Sequence, residues 1–185
     1  INKNFIRKKL GMKEDRIVLA VGRYIRGKGF DVLIQAMKEL PKSIGCYIVG
    51  GKPTTEYLKM KSFYNLDNVY FIDFKTKLEL SEYFYASDVF VHPTRKDVWG
   101  LVVNEAMAFG LPVITTDHCI AGLELVDAAN GAIVPVDDSL ALRKSMEEIL
   151  NGDLEEMGKK SVERISRYTT QNMAICHMDI LMKTV

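Results

Sequence analysis

Two hydrophobic rhythms alternate along this chain. Short, mostly apolar and β-branched runs occupy residues 17–22, 46–49, 69–72, 89–92 and 112–115, and a sixth, at 132–134, reads as an edge strand. Runs this short, with no polar residue at every second position, predict strands covered on both faces. Between them apolar residues recur every three or four positions. Leu33, Ala36, Met37 and Leu40 form one helical face, with Asp31 placed to cap it and Pro41 to end it. Residues 56–64 predict a polar helix, and Leu80, Tyr83, Phe84 and Ala86 a third helical face. A helix over 102–109 stops at Gly110, and one starting at Ser139 stops at Asn151-Gly152. From about Thr169, Met173, Cys176, Ile180 and Leu181 have helical spacing; that terminal crossover helix (169–185) packs either on this sheet or on another domain.

Strict alternation of strand and helix predicts an α/β fold. The expected architecture is a Rossmann-like, doubly wound parallel sheet of about six strands with helices on both faces, formed by residues 1–185 as a single domain. Ligands of such sheets bind beyond the carboxyl ends of the strands. Gly22-Arg23, His92-Pro93-Thr94 and Thr116 all follow strand ends, so their polar neighbours share one edge of the sheet.

Composition narrows the partners. The 185 residues are 48% apolar and 26% charged, with net charge +1. That balance gives no general attraction to nucleic acid or an acidic membrane, so any phosphate site must come from local placement of Arg and Lys. Cys46, Cys119 and Cys176 are far apart and odd in number, as expected for reduced thiols of a cytoplasmic protein. Cys46 falls in an apolar run and is expected in the core; Cys119 falls in a loop and is expected to be open to solvent. No apolar run is long enough to cross a membrane, and residues 1–10 lack the apolar segment of a signal peptide. The first residue is not Met, so a piece of a longer chain is expected, with 1–15 as an interdomain linker.

Two loops carry candidate chemistry. In the first, Gly22, Gly27 and Gly29 let the backbone turn and approach a ligand, and Arg23 and Lys28 are two cations at the mouth of the sheet. Arg can grip a phosphate with two donors and Lys adds a point charge, a pair suited to a diphosphate. Read blandly, the same loop is a solvated, Gly-rich connection. Neither a dinucleotide G-x-G-x-x-G fingerprint nor a G-x-x-x-x-G-K-[ST] loop is present, which argues against a dehydrogenase. In the second loop, Asp97 precedes a helix that begins at Gly100, and Glu105 lies more than a turn inside it. Free amides of Leu101 and Val102 at that helix start make an anion site, and Glu105 offers two acceptor oxygens to a vicinal diol such as ribose. Trp99, the single Trp of the chain, serves either as a ligand contact or as a lid on the core.

These motifs together resemble the carboxyl-terminal domain of retaining glycosyltransferases of the group 1 type, one half of a GT-B fold. The resemblance rests on Gly22-Arg23 with Lys28-Gly29, on 88–94, on Asp97 through Glu105-Ala106-Met107-Ala108, on 110–115, and on Asn130-Gly131 followed by Asp137. It spans nearly the whole chain in order. It implies that Arg23 and Lys28 bind the diphosphate of a nucleotide-sugar donor, that Glu105 binds the ribose, and that Asp97 contacts the donor sugar. The family's pattern has Glu where this chain has Asp97, one methylene shorter, and Gly where it has Asp73.

The resemblance further implies transfer without a metal or other cofactor, in polysaccharide or glycolipid assembly. Catalysis would rest on Arg23, Lys28 and Asp97, and donor binding on Gly22, Arg23, Lys28, Asp97, Trp99, Gly100, Leu101, Val102 and Glu105. Acceptor binding belongs to an amino-terminal domain, through which alone a peripheral membrane association is expected. The chain alone should bind donor without transferring sugar. Competing expectations are a non-catalytic nucleotide-sugar-binding scaffold and a GT-B-type epimerase. His92, His118 and His177 are expected to be structural, with only His92 near the site.

Overall fold

The computed structural model of the chain describes residues 2–169 and, beyond them, 171, 172, 174, 175, 178 and 182. Its strands are β1 (Arg16–Val21), β2 (Ile44–Val49), β3 (Val69–Ile72), β4 (Val89–His92), β5 (Val113–Thr116) and β6 (Gly131–Val134). They form one parallel six-stranded sheet in the order β3-β2-β1-β4-β5-β6. The helices are α1 (Lys3–Leu10), α2 (Phe30–Met37), α3 (Thr55–Phe63), α4 (Lys77–Ala86), α5 (Leu101–Ala108), α6 (Ile120–Leu125), α7 (Ser139–Asn151) and α8 (Leu154–Ile165), with a 3-10 turn at Arg26–Lys28. The doubly wound α/β sheet expected from the hydrophobic rhythm is the fold observed.

Each central strand feeds two cores. Val18 and Ala20 of β1, Cys46 and Ile48 of β2, and Val89 and Val91 of β4 pack beneath α2, α3 and α7. The alternate residues Ile17, Leu19, Tyr47, Val49 and Phe90 pack beneath α1, α4, α5 and α6. Side chains alternate across a strand, so a sheet covered on both faces needs apolar residues at every position. α8 closes one end: Leu154 and Met157 reach the first core and Ile165 the second.

Within 1–15, the stretch expected to link two domains, α1 is docked on the sheet. Ile6 is buried, and Asp88, just before β4, accepts from Lys3 Nζ at 2.8 Å, from Arg7 Nη2 and from the Ile17 amide at 2.7 Å. Asp31 does not cap α2. Gly29 takes the N-cap position with φ 67°, which leaves Asp31 in the first helical turn. The start of α7 is capped by Asp138, whose side chain accepts from the Ala141 amide; Ser139 is the first helical residue. The described residues among 171–182 are helical, but Met173, Cys176, His177, Ile180 and Leu181 lie outside the described residues.

Candidate functional site

The strand order reverses direction between β1 and β4, which are hydrogen-bonded neighbours with Leu19 opposite Phe90. This is the topological switch point, where the loops leaving two adjacent strands diverge and open a crevice. The loop after β1 holds Gly22, Arg23 and Lys28; the loop after β4 holds Asp97, Trp99 and Gly100.

Backbone contacts zip these loops together. The Arg95 amide and the Thr94 hydroxyl both donate to the Gly27 carbonyl, at 2.8 and 3.0 Å. Gly29 sits so close to Pro93 that a Cβ there would collide with the Pro93 carbonyl oxygen. The loop after β5 joins on the other side. The Asp97 amide donates to the His118 carbonyl at 3.1 Å, and the Ala121 amide to the Trp99 carbonyl at 2.8 Å. Cys119 is therefore buried, not open to solvent as its loop position suggested: this pairing covers it, and its thiol donates to the Trp99 carbonyl at 3.3 Å.

Lys28 and Asp97 meet across the crevice, Nζ to Oδ2, at 2.7 Å. The same oxygen lies 3.1 Å from His92 Nε2. The His92 hydrogen bond, helped by Lys28 and opposed by desolvation, holds the Asp97 carboxyl well below the usual carboxylate range. Burial pushes the His92 imidazole down from its ordinary value, against the pull of Asp97, so near neutral pH the ring is uncharged. A neutral ring facing a carboxylate must carry its proton on Nε2. Nδ1 is then a bare acceptor, and it is buried with no hydrogen-bond partner among the described residues.

Gly100 is the N-cap of α5, with φ 94°, and no side chain caps the helix. The Leu101 and Val102 amides have no partner among the described residues, so the positive end of the helix is open. A Cβ at Gly100 would stand 2.8 Å from Cys119 Sγ and 3.8 Å from Asp97 Cγ, which puts this turn against the Asp97 carboxylate. Trp99 is half-buried: it packs against the second core, and its Nε1–H donates to Asn104 Oδ1 at 2.9 Å.

The structure thus gathers Lys28, Asp97, Gly100 and the α5 amides. Arg23 and Glu105 are not drawn into that cluster. Both are exposed, and their side chains have no partner among the described residues. Glu105 follows exposed Leu101 by four residues on the outward face of α5. Sequence reasoning missed Arg95, which grips both oxygens of Asp31 at 2.9 and 2.6 Å and reaches Asp137 at 2.7 Å. Arg95 ties the loop after β4 to the first turn of α2 and to the loop after β6. Nothing in its sequence neighbourhood sets it apart from Lys96; only the sheet order brings its partners within reach.

Residues 2–172 match the family model described as Glycosyl transferases group 1. The chain belongs to this family. The lipopolysaccharide glucosyltransferase WaaG of Escherichia coli strain K12 is 32% identical over 139 residues, which cover 72% of this chain and 37% of that protein. A D-inositol 3-phosphate glycosyltransferase of Xylanimonas cellulosilytica is 32% identical over 158 residues, covering 80% of this chain and 37% of its own length. Among solved structures, this group 1 domain superimposes on a sucrose-phosphate synthase from Thermosynechococcus elongatus with TM-score 0.85 and 29% identity, covering 98% of this chain and 48% of that one. HepE from Anabaena, crystallised with UDP-glucose, shares the fold at TM-score 0.84 and 21% identity, over 95% of this chain and 51% of its own. This group 1 chain therefore spans about half, or less, of the length of the proteins it matches. Among the described residues no helix is long and apolar enough to cross a membrane.

Proposed function

We propose that this group 1 domain binds a nucleotide-diphosphate sugar at the switch crevice, as the donor half of a metal-independent, retaining glycosyltransferase in polysaccharide or glycolipid assembly. The acceptor is held by another domain. The observation that carries this reading is the Lys28–Asp97 pair, 2.7 Å apart across the crevice and beside the uncapped start of α5. A cation held at the crevice, with helix amides beside it, suits charge that develops on a departing diphosphate. Lys28 has three N–H donors, so it can hold Asp97 and still reach a phosphate oxygen. Arg23 supplies the second cation, Glu105 accepts from the ribose diol, and Asp97 faces the donor sugar. Gly22 and Gly100 leave room for close approach, and Trp99 with Leu101 and Val102 borders the phosphates.

Thermal shift with UDP-, GDP- and ADP-sugars tests the reading, because specific binding raises Tm as ligand exceeds Kd. A shift lost in both Arg23→Ala and Glu105→Ala supports it; a shift unchanged in both sinks it. A second reading, a non-catalytic binding scaffold, is favoured by the engagement of Asp97 Oδ2 with Lys28 and His92. Transfer assays on the protein containing its acceptor domain, comparing wild type, Asp97→Ala and Asp97→Glu, separate the two. Donor binding without turnover in every version favours the scaffold.

A further inference from the structure

The two oxygens of Asp97 are used unequally. Oδ2 receives both Lys28 Nζ and His92 Nε2. Oδ1 carries no hydrogen bond among the described residues. His92 lies directly beneath this carboxylate at the end of β4, with no exposure, and its own backbone is pinned because its carbonyl accepts from the Thr115 hydroxyl at 3.0 Å. Its ring stacks on Phe90 with centroids 6.3 Å apart and planes 15° from parallel. A ring held on strand, neighbour and hydroxyl cannot follow the loop; the loop must come to it. Its other nitrogen, Nδ1, is buried and unpartnered among the described residues, so no core hydrogen bond among them accounts for an imidazole. Among the described residues, the contact to Asp97 is its one side-chain hydrogen bond.

We propose that His92 is a positioning residue for donor-sugar recognition: by donating Nε2–H to Asp97 Oδ2 it fixes the carboxylate so that Oδ1 faces the sugar hydroxyls. This rests on the donor-site reading above and adds a residue and an atom to it. Asp97 is short, and its carboxylate hangs from an exposed loop between exposed Lys96 and Val98. Lys28 alone is a flexible tether; the imidazole supplies the rigid one. The carboxylate then acts on the sugar, not on the diphosphate, so loss of His92 should be felt only by ligands that carry a sugar.

The test is the ratio of Kd for UDP to Kd for UDP-glucose, measured by calorimetry on this chain, with GDP and GDP-mannose as a second pair. Wild type is expected to favour the sugar nucleotide at least about fivefold. His92→Leu should bring the ratio to about one while leaving Kd for the nucleoside diphosphate unchanged. His92→Gln, which restores an N–H donor at similar reach, should recover most of the preference; His92→Asn, one methylene shorter, should not. Should His92→Leu fail to fold, the Gln and Asn variants carry the same comparison. An unchanged ratio in His92→Leu overturns the proposal, as does equal weakening of both ligands, which marks a general structural role. A wild-type ratio near one overturns it too. If wild type binds neither pair, nor ADP and ADP-glucose, the donor-site reading fails, and this inference with it; binding that persists with a His92-independent ratio defeats the inference alone.

Discussion

Lys28 and Asp97 stand 69 residues apart in the chain, and their side chains meet at 2.7 Å with about a fifth of each exposed. The contact exists because β1 and β4 are neighbours although two strand–helix units separate them in sequence. It joins the two halves of the sheet at the one place where their loops diverge.

Lys28 is therefore expected to serve two partners, the Asp97 carboxylate and a donor phosphate. Lys28→Met keeps the apolar stem and removes the charge. Affinity for a nucleoside diphosphate should fall by about 10- to 100-fold, equivalent to roughly 1.4–2.8 kcal/mol. The difference between wild type and variant should shrink as salt rises, since screening weakens a partly exposed cation. Calorimetry at two ionic strengths checks both points, and equal affinity of Lys28→Met and wild type removes Lys28 from the site.

Acid should weaken the fold in two stages. His92 has a folded pKa below its ordinary 6.5, chiefly because it is buried. The unfolded chain then takes up that proton first, so the stabilisation is complete above about pH 6.5 and is lost as pH falls towards the folded value. Asp97 is depressed from 3.8 by the His92 hydrogen bond and by Lys28, so a second loss follows below that pH. Urea midpoints should be level between pH 7 and 8, decline below about 6.5 and fall more steeply below about 4. His92→Leu should flatten the first decline. A decline of the same slope in that variant would assign it to other groups.

The alternation of strand and helix was legible because a sheet covered on both faces demands unbroken apolar runs, and 17–22, 46–49 and 89–92 supply them. That chain order put Arg23, Lys28 and Asp97 at one edge before any distance was known. The contacts themselves were not legible. Gly29 in a left-handed turn displaced Asp31 from the N-cap and freed it for Arg95, an outcome set by backbone conformation, not by capping preference. Cys119 reads as a loop residue, yet the backbone bridge between its loop and Asp97 buries it. The His92 contact depends on how the loop folds back over the end of β4, which no spacing rule specifies. The docking of α1 was not legible either, because its buried partner Asp88 lies more than 80 residues away.

Gly29 and Gly100 should resist substitution for different reasons. Alanine at 29 would drive its Cβ into the Pro93 carbonyl oxygen, in a left-handed conformation, at the junction of the β1 and β4 loops. Backbone cannot give way as a side chain can, so Gly29→Ala should cost at least about 2 kcal/mol. At Gly100 the Cβ meets the Cys119 thiol at 2.8 Å, also at positive φ. Cys119→Ala removes that clash but leaves the strain, so Gly100→Ala/Cys119→Ala should recover part of the loss seen in Gly100→Ala. A double-mutant cycle in urea measures the coupling; strictly additive effects would mean that the thiol is not the obstacle.

Asp88 offers a contrast at the opposite end of the sheet. Asp88→Ala strands a buried Ile17 amide and removes the carboxylate from Arg7 and Lys3, which keep only backbone carbonyl partners, a loss of about 2–4 kcal/mol. Binding of nucleoside diphosphate by the folded variant should be unchanged, since Asp88 precedes β4 and the crevice follows it. Denaturation and calorimetry on one sample would show this separation, and a loss of affinity equal to the loss of stability would refute it.

Arg23 and Glu105 make the sharpest case for function, because the fold does not use their side chains. Both are exposed and unpartnered among the described residues. Truncating such residues normally shifts stability by no more than about 0.5 kcal/mol. If they contact the donor, the same truncations remove charge-assisted hydrogen bonds to phosphate and ribose, with an expected loss of about 10- to 100-fold in affinity. Glu105→Ala should weaken nucleotides that carry an intact ribose diol and have less effect on the 2′-deoxy form, whose loss of one hydroxyl already forfeits part of the contact. Arg23→Ala should weaken both forms equally, because each keeps the diphosphate. Unfolding midpoints near wild type, together with these two distinct affinity patterns, would place Glu105 on the ribose and Arg23 on the diphosphate. Affinities unchanged in both variants would leave the crevice without its two free side chains and would move the donor elsewhere.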